Sequence, residues 1–374
     1  MRICQITSAH PWQDERIFMR CTRGLAKRGH QVVYIAPIES ARREEGVSIL
    51  PVTPNRSKWE RIALTTWEAF RIARQLNADI YHYHDPELHP LMDVLKRMGK
   101  RVVFDMHENY AGAMRNRLSG WKRDLFPDGF AKYEQYLLPR LDGVVFVSQS
   151  QADMFAGQVK RSCVIRNIID LSRLDNWTPP PRQEPPVILS AGGSLGPERQ
   201  ADKLVEALPL IHEEFPDARV RFLGKYAYGY EQKIPEMAAK LGVADHVDVD
   251  GWVPWVESFD EIAKASIGTV FYQDNENNQI GLPNRVFSYM FAKLPLLMSD
   301  YTELRRVAEE TGAAEIINTE DPRNIAEAVK ALLRDRDRLE AMGQKGRDAV
   351  FENYNYAKEL DSLEAMYDDI LARR

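Results

Sequence analysis

Cysteine is nearly missing from this chain: 374 residues contain only Cys4, Cys21 and Cys163. An odd number of widely separated thiols excludes a disulfide framework and a metal site of the CxxC kind. A reducing compartment, the cytoplasm, suits such a chain. Long apolar runs are lacking as well, since no stretch approaches the roughly 18 to 20 apolar residues that a spanning helix needs. The opening MRICQITSAHPWQDERIF lacks a basic segment followed by an apolar one, so the protein reads as neither exported nor membrane-spanning. No internal repeat or low-complexity tract is visible. A composition of 44% hydrophobic and 28% charged residues excludes disorder, collagen and coiled coil as overall descriptions. What remains is a globular chain long enough for about two domains.

The charge is unevenly spread. Residues 1–175 hold 27 Lys and Arg against 20 Asp and Glu, and residues 176–374 hold 23 against 35, leaving +7 in the first half and -12 in the second. A cationic half points to a negatively charged partner such as lipid headgroups, solvated surfaces of no consequence being the alternative. No nucleic-acid partner is expected.

Strand and helix alternate along the chain. Apolar strands are predicted at Ile3–Thr7, Val32–Ala36, Ile80–His84, Val102–Met106 and Val144–Val147, with helices at Arg16–Lys27, Trp59–Leu76 and Leu88–Met98 between them. At Asp175 the rhythm breaks into DNWTPPPRQEPP, whose prolines make a stiff extended connection. Strands resume at Val187–Ala191, Val220–Gly224, around Val247 and at Ile267–Phe271, with helices reaching Phe215 and Leu241. From Pro322 the chain reads as helical, and Leu360, Leu363, Met366, Tyr367 and Ile370 form one apolar stripe. The expected organisation is a Rossmann-like domain at 1–174, a linker at 175–186, a second Rossmann-like domain at 187–353, and a C-terminal helix at 354–374 that packs back on the first domain.

In open parallel sheets ligands bind beyond the carboxyl ends of the strands. The loops there are polar: SAHPWQDER, HDPEL, DMHENY and AGGSLGPER. The last reads as a phosphate-cradling turn, in which Gly192 and Gly193 admit a ligand and Arg199 neutralises it, or else as a plain turn. In IGLPNRVFSYMF, a helix start after Pro283 offers amides to an anion, with Arg285 close by. Ser288 either faces the ligand or bonds backward to a helix carbonyl. His82, His84, Asp85 and His89 are read as hydrogen-bonding side chains of a ligand site rather than as metal ligands. His107 is the histidine expected to touch substrate, and Asp248 and Asp250 are read as structural.

Taken in order, SAHPWQDERIF, YHYHDPELHPL, VVFDMHENY and GLPNRVFSYMFAKLPLLMSDYTELR resemble the motifs of family four of the glycosyltransferases over nearly the whole chain. The resemblance implies an α/β fold of the GT-B kind, two facing Rossmann-like doubly wound domains with a cleft between them. It implies a retaining, metal-independent transferase that moves a sugar from a nucleoside-diphosphate sugar to a glycan or lipid-linked acceptor in cell-surface polysaccharide assembly, with no cofactor. It places His107 against the donor sugar as the catalytic histidine. The donor is assigned to Gly193, Ser194, Arg199, Lys225, Gly281, Leu282, Asn284 and Ser288, and the acceptor side to Arg16, His84 and Glu108.

This sequence departs from the family pattern at four positions. The two carboxylates of a Glu-x7-Glu signature fall on Ile280 and Ser288, a basic residue falls on Ser194, and a glycine falls on Lys293. Two alternatives therefore stand beside the active transferase: a non-catalytic nucleotide- or glycan-binding homologue that partners an active enzyme, and a sugar-nucleotide epimerase on the same plan. The segment 114–140, MRNRLSGWKRDLFPDGFAKYEQYLLPR, interleaves basic with apolar residues. It reads either as a surface that rests on the anionic inner face of the membrane or as an acceptor-side loop and helix whose apolar residues pack inward.

Overall fold

The computed structural model describes residues 1–174 and 176–372. Asp175, which opens the stretch read as a linker, and Arg373 and Arg374 of the C-terminal segment lie outside the described residues. The chain divides into two compact units, one made of residues 1–167 and 356–374 and the other of residues 168–355.

The first unit is an eight-stranded sheet formed by β1 (Arg2–Ile6), β2 (Gln31–Pro37), β3 (Arg42–Glu44), β4 (Val47–Val52), β5 (Ile80–Tyr83), β6 (Val102–Met106), β7 (Gly143–Phe146) and β8 (Ser162–Val164), in the order β3-β4-β2-β1-β5-β6-β7-β8. The pairs are parallel apart from the β3–β4 hairpin. Strands β1, β5, β6 and β7 are apolar runs buried on both faces, as a helix-covered parallel sheet requires. β3, β4 and β8 are additional to the sequence reading. They are short, and β4 carries Pro51, which masks a strand signal.

The helix expected at Arg16–Lys27 opens instead as a π-helical turn, Ile17–Thr22, before an α-helical turn, Arg23–Lys27. The C-terminal helix Tyr356–Ala372 belongs to the first unit and buries Leu360, Leu363, Met366, Tyr367 and Ile370. Gly24 and Gly143 make room for it: a Cβ on Gly24 would meet Leu360 Cδ1 at 2.5 Å, and one on Gly143 would meet Met366 Sδ at 3.0 Å.

The second unit is a six-stranded parallel sheet formed by β9 (Val187–Leu195), β10 (Arg219–Tyr226), β11 (Val247–Asp250), β12 (Ile267–Val270), β13 (Leu296–Ser299) and β14 (Ala314–Ile317), in the order β11-β10-β9-β12-β13-β14. β13 and β14 are additional to the sequence reading. The proline-rich stretch is not a free spacer. Trp177 stacks on Phe291 with ring centroids 5.0 Å apart and donates its indole N–H to Asp260 at 2.8 Å, and Arg182 donates to the Lys293 carbonyl at 2.8 Å. The boundary between units therefore falls at Asn167–Ile168, ahead of the residue-174 boundary expected from the prolines.

Asp248 and Asp250 face Arg219 and Arg221 on the neighbouring strand and form ion pairs with them, the first at 2.6 Å. Lys293, where the family pattern has glycine, sits in the left-handed region at φ 62°.

Candidate functional site

Each sheet reverses its winding at one place, between β1 and β5 in the first unit and between β9 and β12 in the second. The strand ends at such a reversal splay apart and leave backbone groups free for a ligand. The two units fill these places with opposite charge.

In the first unit the reversal is occupied by a carboxylate of the protein itself. Asp85, which follows β5, accepts from the Thr7 hydroxyl at 2.6 Å and from the Ser8 and Ala9 amides at 2.7 and 3.1 Å, and its other oxygen lies 2.9 Å from the His10 ring. Burial alone would raise the Asp85 carboxyl; His10, Thr7 and the Ser8 amide outweigh it and hold the group below the ordinary carboxylate range. One strand further, Asp105 of β6 sits beneath the surface, accepting from Arg16 Nη2 at 2.7 Å and Nε at 3.1 Å, with His84 at 3.2 Å and His107 at 3.4 Å. The remaining Arg16 bonds go to the Ile165 carbonyl at 2.7 Å and the Asn167 side chain at 3.1 Å.

Two of the residues expected on the acceptor side are internal to this arrangement. Arg16 is buried with its guanidinium committed to Asp105, Ile165 and Asn167, and His84 is fully buried between Gln5, at 2.8 Å, and Asp105. Neither presents a free polar edge to an acceptor. His107 and Glu108 remain partly exposed at the loop after β6, with Glu108 3.5 Å from Arg117. His82, His84 and Asp105 bring ligand-type atoms within 4.8 Å of one another. His82 is nevertheless engaged by Tyr367 at 2.6 Å, and Asp105 is neutralised by Arg16. Burial holds both imidazoles below their ordinary pKa, helped at His82 by the neighbouring His84 and opposed at His84 by Asp105.

In the second unit the reversal is held by cations. Arg285, on the helix Asn284–Phe291, donates to the Ala191 carbonyl of β9 and to the Phe271 carbonyl just past β12, each at 3.1 Å. Its guanidinium lies 4.8 Å from the centre of the Tyr272 ring, and that of Arg199 lies 5.4 Å from the same ring. Tyr272 is fixed through its backbone, donating from its amide to Ser299 at 3.0 Å and accepting from the Tyr301 hydroxyl at 2.7 Å.

Gly192 is dictated by packing, because a Cβ there would stand 2.7 Å from Arg199 Nη1. Gly224 is dictated by the chain: at φ +145° its Cβ would fall 1.8 Å from the Gly192 carbonyl oxygen. Gly193 is exposed, with open space where a side chain would be. Among the described residues neither Arg199 nor Arg285 pairs with a carboxylate. Burial first, and then the charge of Arg285, lower the Arg199 pKa.

The glycine pair is not a turn that leads straight into a helix. β9 continues through Gly192, Gly193 and Ser194 to Leu195, a short turn follows at Pro197–Arg199, and the helix begins at Ala201. Lys225 is exposed at the end of β10, 5.8 Å from the Trp252 ring. Gly281 ends the helix Glu276–Ile280, Leu282 is buried, and Asn284 is exposed at the first position of a helix that has no side-chain cap. Ser288 donates to the Asn284 carbonyl at 3.4 Å, the backward helix bond. The sequence reading noted Arg285 without assigning it to the site, and it missed the Asp85–His10 pair and Asp105. Asp105 carried a visible signal, an acidic residue inside the apolar strand VVFDM.

Residues 15–173 match the family described as Glycosyltransferase Family 4, and residues 175–349 match Glycosyl transferases group 1. The chain belongs to the family-four type of glycosyltransferases. Among curated proteins it is 27% identical over 183 residues to the GDP-mannose-dependent alpha-(1-6)-phosphatidylinositol monomannoside mannosyltransferase of Mycobacterium tuberculosis, a match covering 47% of this chain and 45% of the relative. It is 23% identical over 231 residues to the enzyme of the same description from Mycolicibacterium smegmatis, covering 58% of this chain and 59% of the relative. The chain thus spans about half the length of the curated relatives it matches.

Among solved structures, a sucrose-phosphate synthase from Thermosynechococcus elongatus has a TM-score of 0.72 at 14% identity, covering 100% of both chains. Anabaena HepE in complex with UDP has a TM-score of 0.73 at 12% identity, covering 98% of this chain and 99% of that one. These likenesses show the fold, which is GT-B.

Proposed function

We propose that the chain transfers a glycosyl group from a nucleoside-diphosphate sugar to a hydroxyl of a glycan or lipid-linked acceptor, with retention at the anomeric carbon and without a metal ion. The observation that carries this reading is the buried Arg285 with the partly buried Arg199, neither paired with a carboxylate among the described residues, at the reversal point of the second sheet. Buried charge requires a counter-charge, and a diphosphate leaving group supplies it while gaining charge in the transition state. The reversal point of the first sheet already holds Asp85 and repels an anion, so we assign the donor diphosphate to the second unit and the uncharged hydroxyl acceptor to the first. The mycobacterial relatives, described as GDP-mannose-dependent mannosyltransferases acting on a phosphatidylinositol monomannoside, support a glycolipid or surface-glycan acceptor.

The test is a thermal-shift screen of the full chain with UDP, GDP, ADP, TDP and CMP, followed by calorimetry with the best ligand. At least one diphosphate is expected to raise the melting temperature with EDTA present, and Arg199→Ala is expected to lose about 10- to 100-fold in affinity, the worth of a charge-assisted bond to phosphate. Unchanged affinity in the variant removes Arg199 from the site. Release of a free nucleotide sugar with altered configuration would identify an epimerase instead.

A second element of the proposal is attachment of the first unit to an anionic membrane. Among the described residues no helix is long and apolar enough to cross a membrane. On the helix Trp121–Leu137, however, Trp121, Leu125 and Phe126 are exposed by 65%, 63% and 51%, rather than packed inward. Phe130 alone of this group turns toward the core, its ring centroid 6.0 Å from that of His89. Lys122, Arg123 and Lys132 are exposed among them. Aromatic and aliphatic side chains flanked by cations suit the headgroup layer, where each basic residue contributes about 1 kcal/mol. The chain is expected to sediment with vesicles containing anionic lipid at low salt and to be released at high salt, whereas the combined variant Arg117→Glu, Lys122→Glu, Arg123→Glu stays in the supernatant. Equal sedimentation of both proteins, or of neither, overturns the attachment.

A further inference from the structure

We propose that Arg285 is the second cation of the diphosphate site, acting by its charge alongside Arg199. This rests on the assignment of the diphosphate to the second unit and adds to it a residue that the motif reading left out.

Arg285 is 8% exposed, and its Nε is buried with no hydrogen-bond partner. Its two terminal nitrogens hold the carbonyls of Ala191, midway along β9, and Phe271, just past β12, on the two strands between which the sheet reverses. A cation retained there, desolvated and among the described residues without a carboxylate partner, destabilises the empty site unless something negative completes it. Both guanidinium groups lie near the Tyr272 ring, and the distances of 4.8 and 5.4 Å to its centre put them within about 10 Å of each other. Two charges that close in a medium of effective dielectric about 20 repel each other appreciably, and an anion binding beside both is attracted by a similar amount.

Ser194, on the strand after Gly193, brings no charge, so Arg285 adds a buried cation to the charge that Arg199 supplies. The helix that carries Arg285 also begins without a side-chain cap, leaving its first amides positive. A pair of cations favours a diphosphate over a monophosphate, and favours the departing nucleoside diphosphate over the intact donor, because charge on the leaving group grows as the glycosidic bond breaks. Arg285 is therefore a positioning and field residue: it bridges β9 and the chain just past β12 and adds charge beneath the ligand.

The experiment is calorimetry on the full chain with inorganic pyrophosphate, inorganic phosphate, and the nucleoside diphosphate that stabilises the protein most. Wild type is compared with Arg285→Gln, Arg285→Lys and Arg199→Gln, each checked for a cooperative melt. Arg285→Gln is expected to lose about tenfold in pyrophosphate affinity and less in phosphate affinity, whereas Arg285→Lys, which keeps the charge but not the two-carbonyl bridge, stays within about threefold of wild type. A lysine variant as impaired as the glutamine variant would mean that only the bridge matters, and it overturns the charge role. Full affinity in Arg285→Gln overturns it too, and in either case a loss in Arg199→Gln leaves the diphosphate site standing. If Arg285→Gln does not fold, Arg285→Lys decides alone: affinity within threefold supports the proposal, and a loss as large as that of Arg199→Gln overturns it. A wild type that binds neither pyrophosphate nor any nucleoside diphosphate overturns both the inference and the donor-site assignment.

Discussion

Asp105→Asn is expected to destabilise the first unit by about 3–5 kcal/mol, because it leaves the Arg16 guanidinium buried without its counter-charge. The substitution keeps the shape of the side chain and removes only the charge, so lost packing cannot account for the effect. Arg16 has no route to solvent: it is buried, and its other bonds end on the Ile165 carbonyl and Asn167. Burial alone would raise the Asp105 carboxyl, yet Arg16, His107 and His84 hold it well below the ordinary range. A carboxylate depressed in the folded state stabilises the protein above its unfolded pKa of about 3.9, and that stabilisation is lost as pH falls toward the folded value. Wild type should therefore lose melting temperature steeply below about pH 4, and the variant should show a shallower acid slope from a lower starting point. Melting curves from pH 3 to 7 on both proteins measure this. A variant within about 1 kcal/mol of wild type at pH 7 would show that Arg16 finds another partner.

The sequence made the strand ends legible and left their partners obscure. A parallel sheet buried on both faces writes each strand as an apolar run, so the loops after Ile80–Tyr83 and Val102–Met106 could be located by inspection, whereas the apolar run Val187–Ala191 stops four residues before β9 does. Which of their polar residues face a ligand is a matter of long-range pairing. Arg16 and His84 lie in polar loops, as ligand-binding residues do, yet Arg16 reaches Asp105 across 89 positions and His84 reaches Gln5 across 79. Arg285 presents the reverse case. It sits among Val286, Phe287, Met290 and Phe291, a stripe that reads as core, and it is buried with them. Only the placement of its two terminal nitrogens on the Ala191 carbonyl of β9 and the Phe271 carbonyl just past β12 ties it to the site. The π-helical turn after Arg16 was equally hidden, because one extra residue in a turn leaves the apolar spacing within the tolerance of an α-helical pattern.

His107→Ala is expected to reduce turnover by at least about a hundredfold while changing nucleotide affinity by less than about threefold, because the residue belongs to the first unit and the diphosphate is assigned to the second. His107 is the histidine of the Asp105 cluster that keeps a partly exposed ring, and its Nε2 lies 3.4 Å from Asp105 and 3.3 Å from His84 Nδ1. A carboxylate behind one ring nitrogen fixes the orientation of the imidazole and leaves the opposite edge for substrate. We assign that edge to positioning the donor sugar and stabilising the charge that develops as the glycosidic bond breaks. The fold should survive the change, since the buried Asp105–Arg16 pair remains intact. The measurements are steady-state release of nucleoside diphosphate from the donor whose nucleotide stabilises the protein most, together with calorimetry on the same nucleotide. Turnover near the wild-type value would remove His107 from the chemistry. A parallel loss of nucleotide affinity would instead make it a nucleotide-binding residue.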